Sequence, residues 1–180
     1  MDNQPDQQDP NQAQQRGIGR GMIVGMWVLV LALLTMFFNS FLEKQQNPNQ
    51  NPFARVDDQG VREIKLIRNR GGHYVMNGRI NGQTVIFFLD TGATDVVIPE
   101  QIANQLGLEK GQPYTASTAN GTITVYATRL DRIELGTIVL NDVRASINPS
   151  MDGKEILLGM SALKQLELLQ QGKTLTLKQY

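Results

Sequence analysis

Residues 21–38 read GMIVGMWVLVLALLTMFF, apolar all round a helix and without a charge. Wound as a helix, this run rises about 27 Å, close to the ~30 Å hydrocarbon core of a bilayer. Polar low-complexity segments flank it on both sides, which does not suit the core helix of a soluble domain. The pattern therefore predicts a transmembrane helix over residues 21–42. A cleaved signal peptide fits less well, because its apolar core usually spans ~7–15 residues and ends at a small-x-small site. Asn39-Ser40-Phe41-Leu42 offers no such site. Residues 1–20 begin as a nearly unbroken run of Asn, Gln, Asp and Pro, too polar to offset the entropy of ordering, and predict a disordered tail. After the apolar run, QQNPNQNP at residues 45–52 has two prolines and no apolar period, and predicts a flexible linker over residues 43–60.

From residue 61 the period shortens toward two. Residues 61–67 alternate apolar and polar imperfectly, and residues 74–80 and 83–89 form two extended runs separated by Asn81-Gly82. Both turn residues tolerate the positive φ that a type I′ hairpin demands. A second Asn-Gly, Asn120-Gly121, sits between YTASTA and TITVYAT and predicts another hairpin. Further strands are expected at residues 129–135, at 138–147 with a break near Asn141-Asp142, and at 174–178. Two short helices are expected: residues 99–106, stopped by Gly107, and residues 161–166, with Ser161 as N-cap. Many short strands with few helices predict a mainly β domain, closed or strongly curled, over residues 61–180.

Composition narrows the chemistry. Among 180 residues there is no cysteine and one histidine, His73. Disulfides, thiolate nucleophiles, Cys-ligated metals and multi-histidine clusters are excluded, so neither metal nor cofactor is expected and catalysis would rest on carboxylates. Lys+Arg equals Asp+Glu at 17 each, which argues against a nucleic-acid partner. Setting aside Arg16, Arg20 and Lys44 with Asp2, Asp6, Asp9 and Glu43 leaves 14 basic and 13 acidic residues, so the folded part has no charge excess either. Arg16 and Arg20 precede the apolar run, while Glu43 and Lys44 nearly cancel after it. The positive-inside rule then places the N-terminus in the cytoplasm and the remainder outside it.

One stretch can carry chemistry. In VIFFLDTGATDVVIP, residues 85–99, an apolar strand runs straight into Asp90, and Val96-Val97-Ile98 follows shortly after. A carboxyl at the end of a buried strand is costly unless it is satisfied or used. Gly92 permits a sharp turn beside it. Read as ordinary structure, Asp90-Thr91-Gly92 is a strand-ending turn. His73 is expected to be a surface or packing residue. A Ser–His–Asp triad would need it, and residues 159–163, GMSAL, do not complete G-x-S-x-G. Asp152-Gly153 lacks a preceding apolar strand and reads as a turn.

Phe87-Phe88-Leu89-Asp90-Thr91-Gly92-Ala93 resembles the signature of the retropepsin-like aspartic proteases, and the order of later features agrees. The Asn120-Gly121 hairpin stands where that family has its flap, and Ile156-Leu157-Leu158-Gly159 matches its apolar-apolar-Gly element before a short helix. Together with the apolar N-terminal run, the chain looks like the bacterial membrane-anchored branch. One departure is plain: the Arg that viral members carry directly after that Gly is Met160 here.

The resemblance implies a single-lobe, pepsin/retropepsin-like closed β barrel with Asp90 as the catalytic residue. It also implies Thr91, Gly92 and Ala93 as loop support, and Ala119, Asn120, Gly121 and Thr122 as the substrate-binding flap. Aspartic proteolysis needs two carboxyls sharing a proton, and one candidate per chain implies a homodimer with an Asp90–Asp90 dyad. A side chain without a hydroxyl at Ala93 cannot stabilise the ionised carboxylate, so a weakly acidic optimum is expected rather than one below about pH 3. The implied partners are a second copy, a protein or peptide substrate, and membrane lipid around the N-terminal helix. The implied location is a bacterial inner membrane, crossed once, with the C-terminal domain periplasmic. Substrates would be extended segments of envelope proteins, or the chain itself in its linker. The alternative is a catalytically inert anchored β domain that binds extended peptides.

Overall fold

A computed structural model describes residues 10–118 and 121–180. The elements in chain order are α1 (Pro10–Gln46), β1 (Phe53–Val56), β2 (Arg62–Ile67), β3 (Val75–Ile80), β4 (Gln83–Leu89), β5 (Val96–Pro99) and α2 (Glu100–Gln105). They continue with β6 (Pro113–Thr118), β7 (Gly121–Leu135), β8 (Ile138–Asn148), β9 (Glu155–Leu158), α3 (Met160–Leu163), β10 (Glu167–Gln171) and β11 (Thr174–Gln179). The chain divides into two compact units, Met1–Leu42 and Glu43–Tyr180.

The first unit is built on α1. Its stretch Gly21–Gln46 contains an 18-residue window with a mean hydropathy of 2.4 and none of it buried, long and apolar enough to cross a membrane, a property that N-terminal signal sequences share. The helix starts at Pro10, earlier than the apolar run alone predicts. Pro is favoured at a first helical position, and the Gln and Ala that follow are good helix formers. The expected disordered tail over residues 1–20 thus meets helical backbone from Pro10 onward, and its residues 1–9 lie outside the described residues.

The second unit is mainly β. One sheet has four strands in the order β1-β2-β11-β10, and the other has seven in the order β3-β4-β9-β5-β8-β7-β6. A further pairing of β3 with β7, through Arg79↔Glu134 and Ile80↔Ile133, joins the seven-stranded order back on itself. The core between the strands is mainly apolar, with Phe87, Met76, Ile98, Leu130, Ile147 and Leu177 fully buried. Alternation selects these side chains: on β4, Val85 and Phe87 are buried while Ile86 and Phe88 are half-buried on the other face. The β3–β4 hairpin turns at Asn81 and Gly82, with φ of +49° and +83°, as a type I′ turn requires. Between β7 and β8 the ladder omits Asp131 and Asp142, where Asp142 has φ +53°, so the break expected near Asn141-Asp142 is a local kink within one long strand.

Where a flexible linker is expected, the structure differs. Asn47 and Asn49 are 7% and 3% exposed. Asn49 Oδ1 accepts the Ile67 N–H at 2.6 Å, and its Nδ2 donates to the carbonyls of Ile67 (2.9 Å) and Val75 (2.7 Å). Its own carbonyl accepts the Asn77 N–H. The side-chain amide thus acts as a peptide group, carrying the ladder from the end of β2 across to β3. Gln179 does the same at the end of β11, with Oε1 accepting the Val139 N–H of β8 at 3.2 Å and Nε2 donating to the Val139 carbonyl at 2.6 Å. Composition alone hid this, because an Asn that satisfies buried backbone has no apolar signature. β1 follows the bonded segment and pairs with β2, from Phe53↔Lys65 to Val56↔Arg62.

Candidate active site

Asp90 immediately follows β4, and the fold explains how the chain holds it there. β9 pairs in parallel with β4 through Leu89↔Leu158 and antiparallel with β5 through Val97↔Leu157. The loop of residues 90–95 therefore has to pass across the end of β9. Its backbone is bonded at both ends of the crossing: the Asp90 N–H donates to the Leu158 carbonyl (3.2 Å), the Met160 N–H to the Ala93 carbonyl (2.8 Å) and the Ser161 N–H to the Thr94 carbonyl (2.9 Å). So close a crossing admits only glycine at residue 159, where an added Cβ would stand 2.1 Å from the Asp95 carbonyl oxygen.

The side chain of Asp90 is treated differently from this backbone. Among the described residues its carboxylate accepts one hydrogen bond, from the Gly92 N–H to Oδ1 at 2.9 Å. A Cβ on Gly92 would lie 3.1 Å from that oxygen, tight enough to disturb the turn. Asp90 is half-buried and Thr91 and Gly92 are exposed, so the loop presents a carboxylate on an open surface.

The other residues predicted from the sequence fall as follows. Thr91, Gly92 and Ala93 share the loop with Asp90, and Ala93 uses its main chain rather than its side chain to hold α3. Gly121 and Thr122 begin β7, opposite Thr118 and Ser117 of β6, while Ala119 and Asn120 lie outside the described residues. At the base of the tip, the Thr118 hydroxyl donates to the Gly121 carbonyl at 2.8 Å. His73 is exposed, with its ring 4.8 Å from that of Phe88. Ser161 is not the N-cap of α3; Gly159 holds that position without a side-chain bond. The Ser161 hydroxyl instead accepts the Val96 N–H at 3.0 Å and donates to the Arg144 carbonyl at 2.7 Å, bolting the end of the loop to β8. No group of three or more metal-ligating side chains occurs among the described residues. A groove of about 910 Å³ lies along the Ile86 and Phe88 face of β4, and none of residues 90–95 lines it.

A second polar group beside the loop has no counterpart in the sequence reading. Arg144 Nε donates to Oδ1 of Asp95 at 2.7 Å, and the Tyr114 hydroxyl donates to Oδ2 at 3.2 Å. Burial, and then the Asp95 carboxylate, hold the Tyr114 hydroxyl above the ordinary phenol value against an opposing hydrogen bond with Ser146, so it stays a donor at neutral pH. These residues come from three separate elements, and only their spatial meeting marks them. The one signal in sequence is an acidic residue, Asp95, directly before the apolar run of β5.

The model of the family described as "gag-polyprotein putative aspartyl protease" matches residues 76–165, half of the chain, including the Asp90 loop, the hairpin and Gly159. The chain belongs to the retropepsin-like aspartic proteases. Two uncharacterised proteins are similar to this retropepsin-like chain. One, from the region 5′ of cobV in a Sinorhizobium species, is 29% identical over 118 residues, covering 64% of this chain and 51% of its own length. The other, from Rickettsia prowazekii (strain Madrid E), is 30% identical over 124 residues, covering 67% and 52%. The chain thus spans about half the length of the curated relatives it matches. Among solved structures, a retropepsin-like aspartic protease from Rickettsia conorii shares the fold with a TM-score of 0.55 at 24% identity, covering 72% of this chain and 95% of that one.

Proposed function

We propose that this retropepsin-like chain is a membrane-anchored aspartic endopeptidase, whose catalytic dyad is Asp90 from each of two subunits meeting on a two-fold axis. In this reading one carboxylate takes a proton from a water as that water attacks the scissile carbonyl. The other, protonated, donates to the carbonyl oxygen, and collapse of the tetrahedral intermediate expels the amine with the returned proton. The observation that carries the reading is the contrast at Asp90: a backbone tied down on both sides of β9, and a carboxylate on an exposed loop with one described hydrogen bond. Exposure of Thr91 and Gly92 supports a second copy at this surface, since an isologous contact there would bring the two loops together. The hairpin that ends at Ala119, Asn120, Gly121 and Thr122 would close over an extended peptide and add β-type main-chain bonds to it.

The apolar Gly21–Gln46 stretch supports membrane anchoring, with the N-terminus cytoplasmic and the β domain periplasmic in a bacterial inner membrane. Holding two copies in one membrane raises their effective concentration, so a weak dimer would suffice. Extended segments of neighbouring envelope proteins are then the substrates within reach. Self-cleavage between residues 47 and 52 would first have to release Asn47 and Asn49 from their buried bonds.

The test uses the full chain in detergent or nanodiscs, with a panel of unstructured peptides and a statine-type transition-state mimic. Cleavage by the parent chain, inhibited by the mimic and absent in Asp90→Asn, is the expected result. Equal cleavage by both chains would overturn the assignment.

A further inference from the structure

We propose that Asp95, Arg144 and Tyr114 form a positioning bracket that fixes the base of the β6–β7 hairpin against the loop carrying Asp90. The role assigned to the bracket rests on the peptidase reading above. Asp95 closes that loop, and its side chain is 13% exposed, which is deep for a carboxylate. Both of its oxygens are satisfied, Oδ1 by Arg144 of β8 and Oδ2 by Tyr114 of β6. The next residue, Val96, is bound to Ser161, whose hydroxyl also reaches the Arg144 carbonyl. Arg144 therefore meets the end of the loop twice, through its main chain by way of Ser161 and through its guanidinium directly.

Tyr114 extends this connection to the hairpin. β6 is the edge strand of its sheet and is laddered to β7 alone. Tyr114, paired with Val125, stands near the start of β6, several residues before the tip. A hairpin that opens and closes over a bound chain needs a fixed base, and the Tyr114–Asp95 bond ties that base to the same loop that presents Asp90. The guanidinium makes the arrangement possible: without Arg144, the Asp95 carboxylate would keep a phenol donor but lose its charge partner and swing toward water. The residue after Gly159 is Met160, 37% exposed, so the position next to the loop's main-chain anchor supplies no charge. The charge that steadies Asp95 comes from β8 instead.

The bracket residues are positioning groups, and their removal should split the kinetic constants. In the full chain, Tyr114→Phe is expected to raise KM by about 3- to 10-fold with kcat within about twofold, because it loosens the hairpin and leaves the loop alone. Arg144→Met is expected to lower kcat by about 10-fold, with Arg144→Lys recovering most of the loss. Tyr114→Phe added to Asp95→Ala should cost nothing further, since both changes remove the Tyr114–Asp95 bond. Catalytic constants unchanged in Arg144→Met and Tyr114→Phe, or losses that follow only a lower unfolding temperature and vanish well below it, would overturn the bracket.

Hydrogen exchange in the Asp90→Asn background separates this proposal from the peptidase reading. There, Arg144→Met should raise exchange in residues 92–96 and 113–118, Tyr114→Phe should raise it in residues 113–118, and both should leave β2 and β11 unchanged. Unchanged exchange at residues 92–96 and 113–118 overturns the bracket whatever the enzyme does. Raised exchange in a chain whose parent cleaves no peptide upholds the coupling and overturns the peptidase reading alone.

Discussion

Asn49 and Asp90 are both short polar side chains next to the apolar interior, and the protein treats them in opposite ways. Every polar atom of Asn49 is engaged: its N–H with Asn47 Oδ1, its carbonyl with Asn77, and its side-chain amide with Ile67 and Val75. Asp90 has its main chain fixed as firmly, yet its carboxylate has one described partner and lies on a partly open surface. A fully satisfied polar group is structure, because nothing remains to offer a ligand. A charge held in place by its backbone, with bonding capacity left over, is what a reaction site needs.

That contrast is sharpest in Asp90→Asn. The amide oxygen can still accept the Gly92 N–H, so stability should stay close to the parent while hydrolysis falls by about 10³-fold or more. Urea unfolding and peptide cleavage on one preparation check both halves. Gly159→Ala comes next: the new Cβ meets the Asp95 carbonyl at 2.1 Å, and the loop must move or the chain must unfold, a loss of about 4 kcal/mol or more with activity lost too. Asn49→Ala should cost about 2–3 kcal/mol, leaving the Ile67 N–H and Val75 carbonyl without that partner, and should open residues 45–52 to added protease while kcat is retained. Retained stability with a protected segment would erase the distinction drawn above.

The smallest effect concerns acid. Glu63 is 7% exposed, and its Oε2 accepts from Arg55 at 3.1 Å while Lys65 stands 3.5 Å from Oε1. The Arg55 hydrogen bond, aided by both positive charges and opposed by burial, holds its pKa below 4.5. A depressed folded-state pKa gives stability that is present in full above the unfolded value and is lost as pH falls through the folded one. Glu63→Gln should therefore lose this contribution at neutral pH and converge on the parent as pH falls below about 4.5, which flattens the acid limb of the stability curve.

Most of the β fold was legible because burial writes itself into alternation and turn chemistry. Asn81-Gly82 marked its hairpin by backbone need, and the apolar run of β4 marked a buried strand that ends in a carboxylate. β10 was not legible: in ELLQQ one residue is half-buried and the others are exposed, so no period reveals that it pairs with β11. Asn49 was hidden inside a segment whose composition reads as a spacer, and Ser161 was assigned to the nearest helix when its hydroxyl serves the Asp90 loop instead. The Asp95, Arg144 and Tyr114 group was hidden for a third reason. It forms between residues 19 to 49 positions from Asp95, and neither charge nor hydroxyl has a period to follow.

The central claim is that two chains share one site, and subunit mixing tests it most directly. Parent and Asp90→Asn chains, combined in detergent at fixed total concentration and allowed to exchange, give mixed dimers with one aspartate. If the dyad spans the dimer, activity follows the square of the parent fraction, and an equal mixture retains about one quarter of the starting rate. An equal mixture that retains about one half, the linear result, would show that each chain works alone and would contradict the shared dyad.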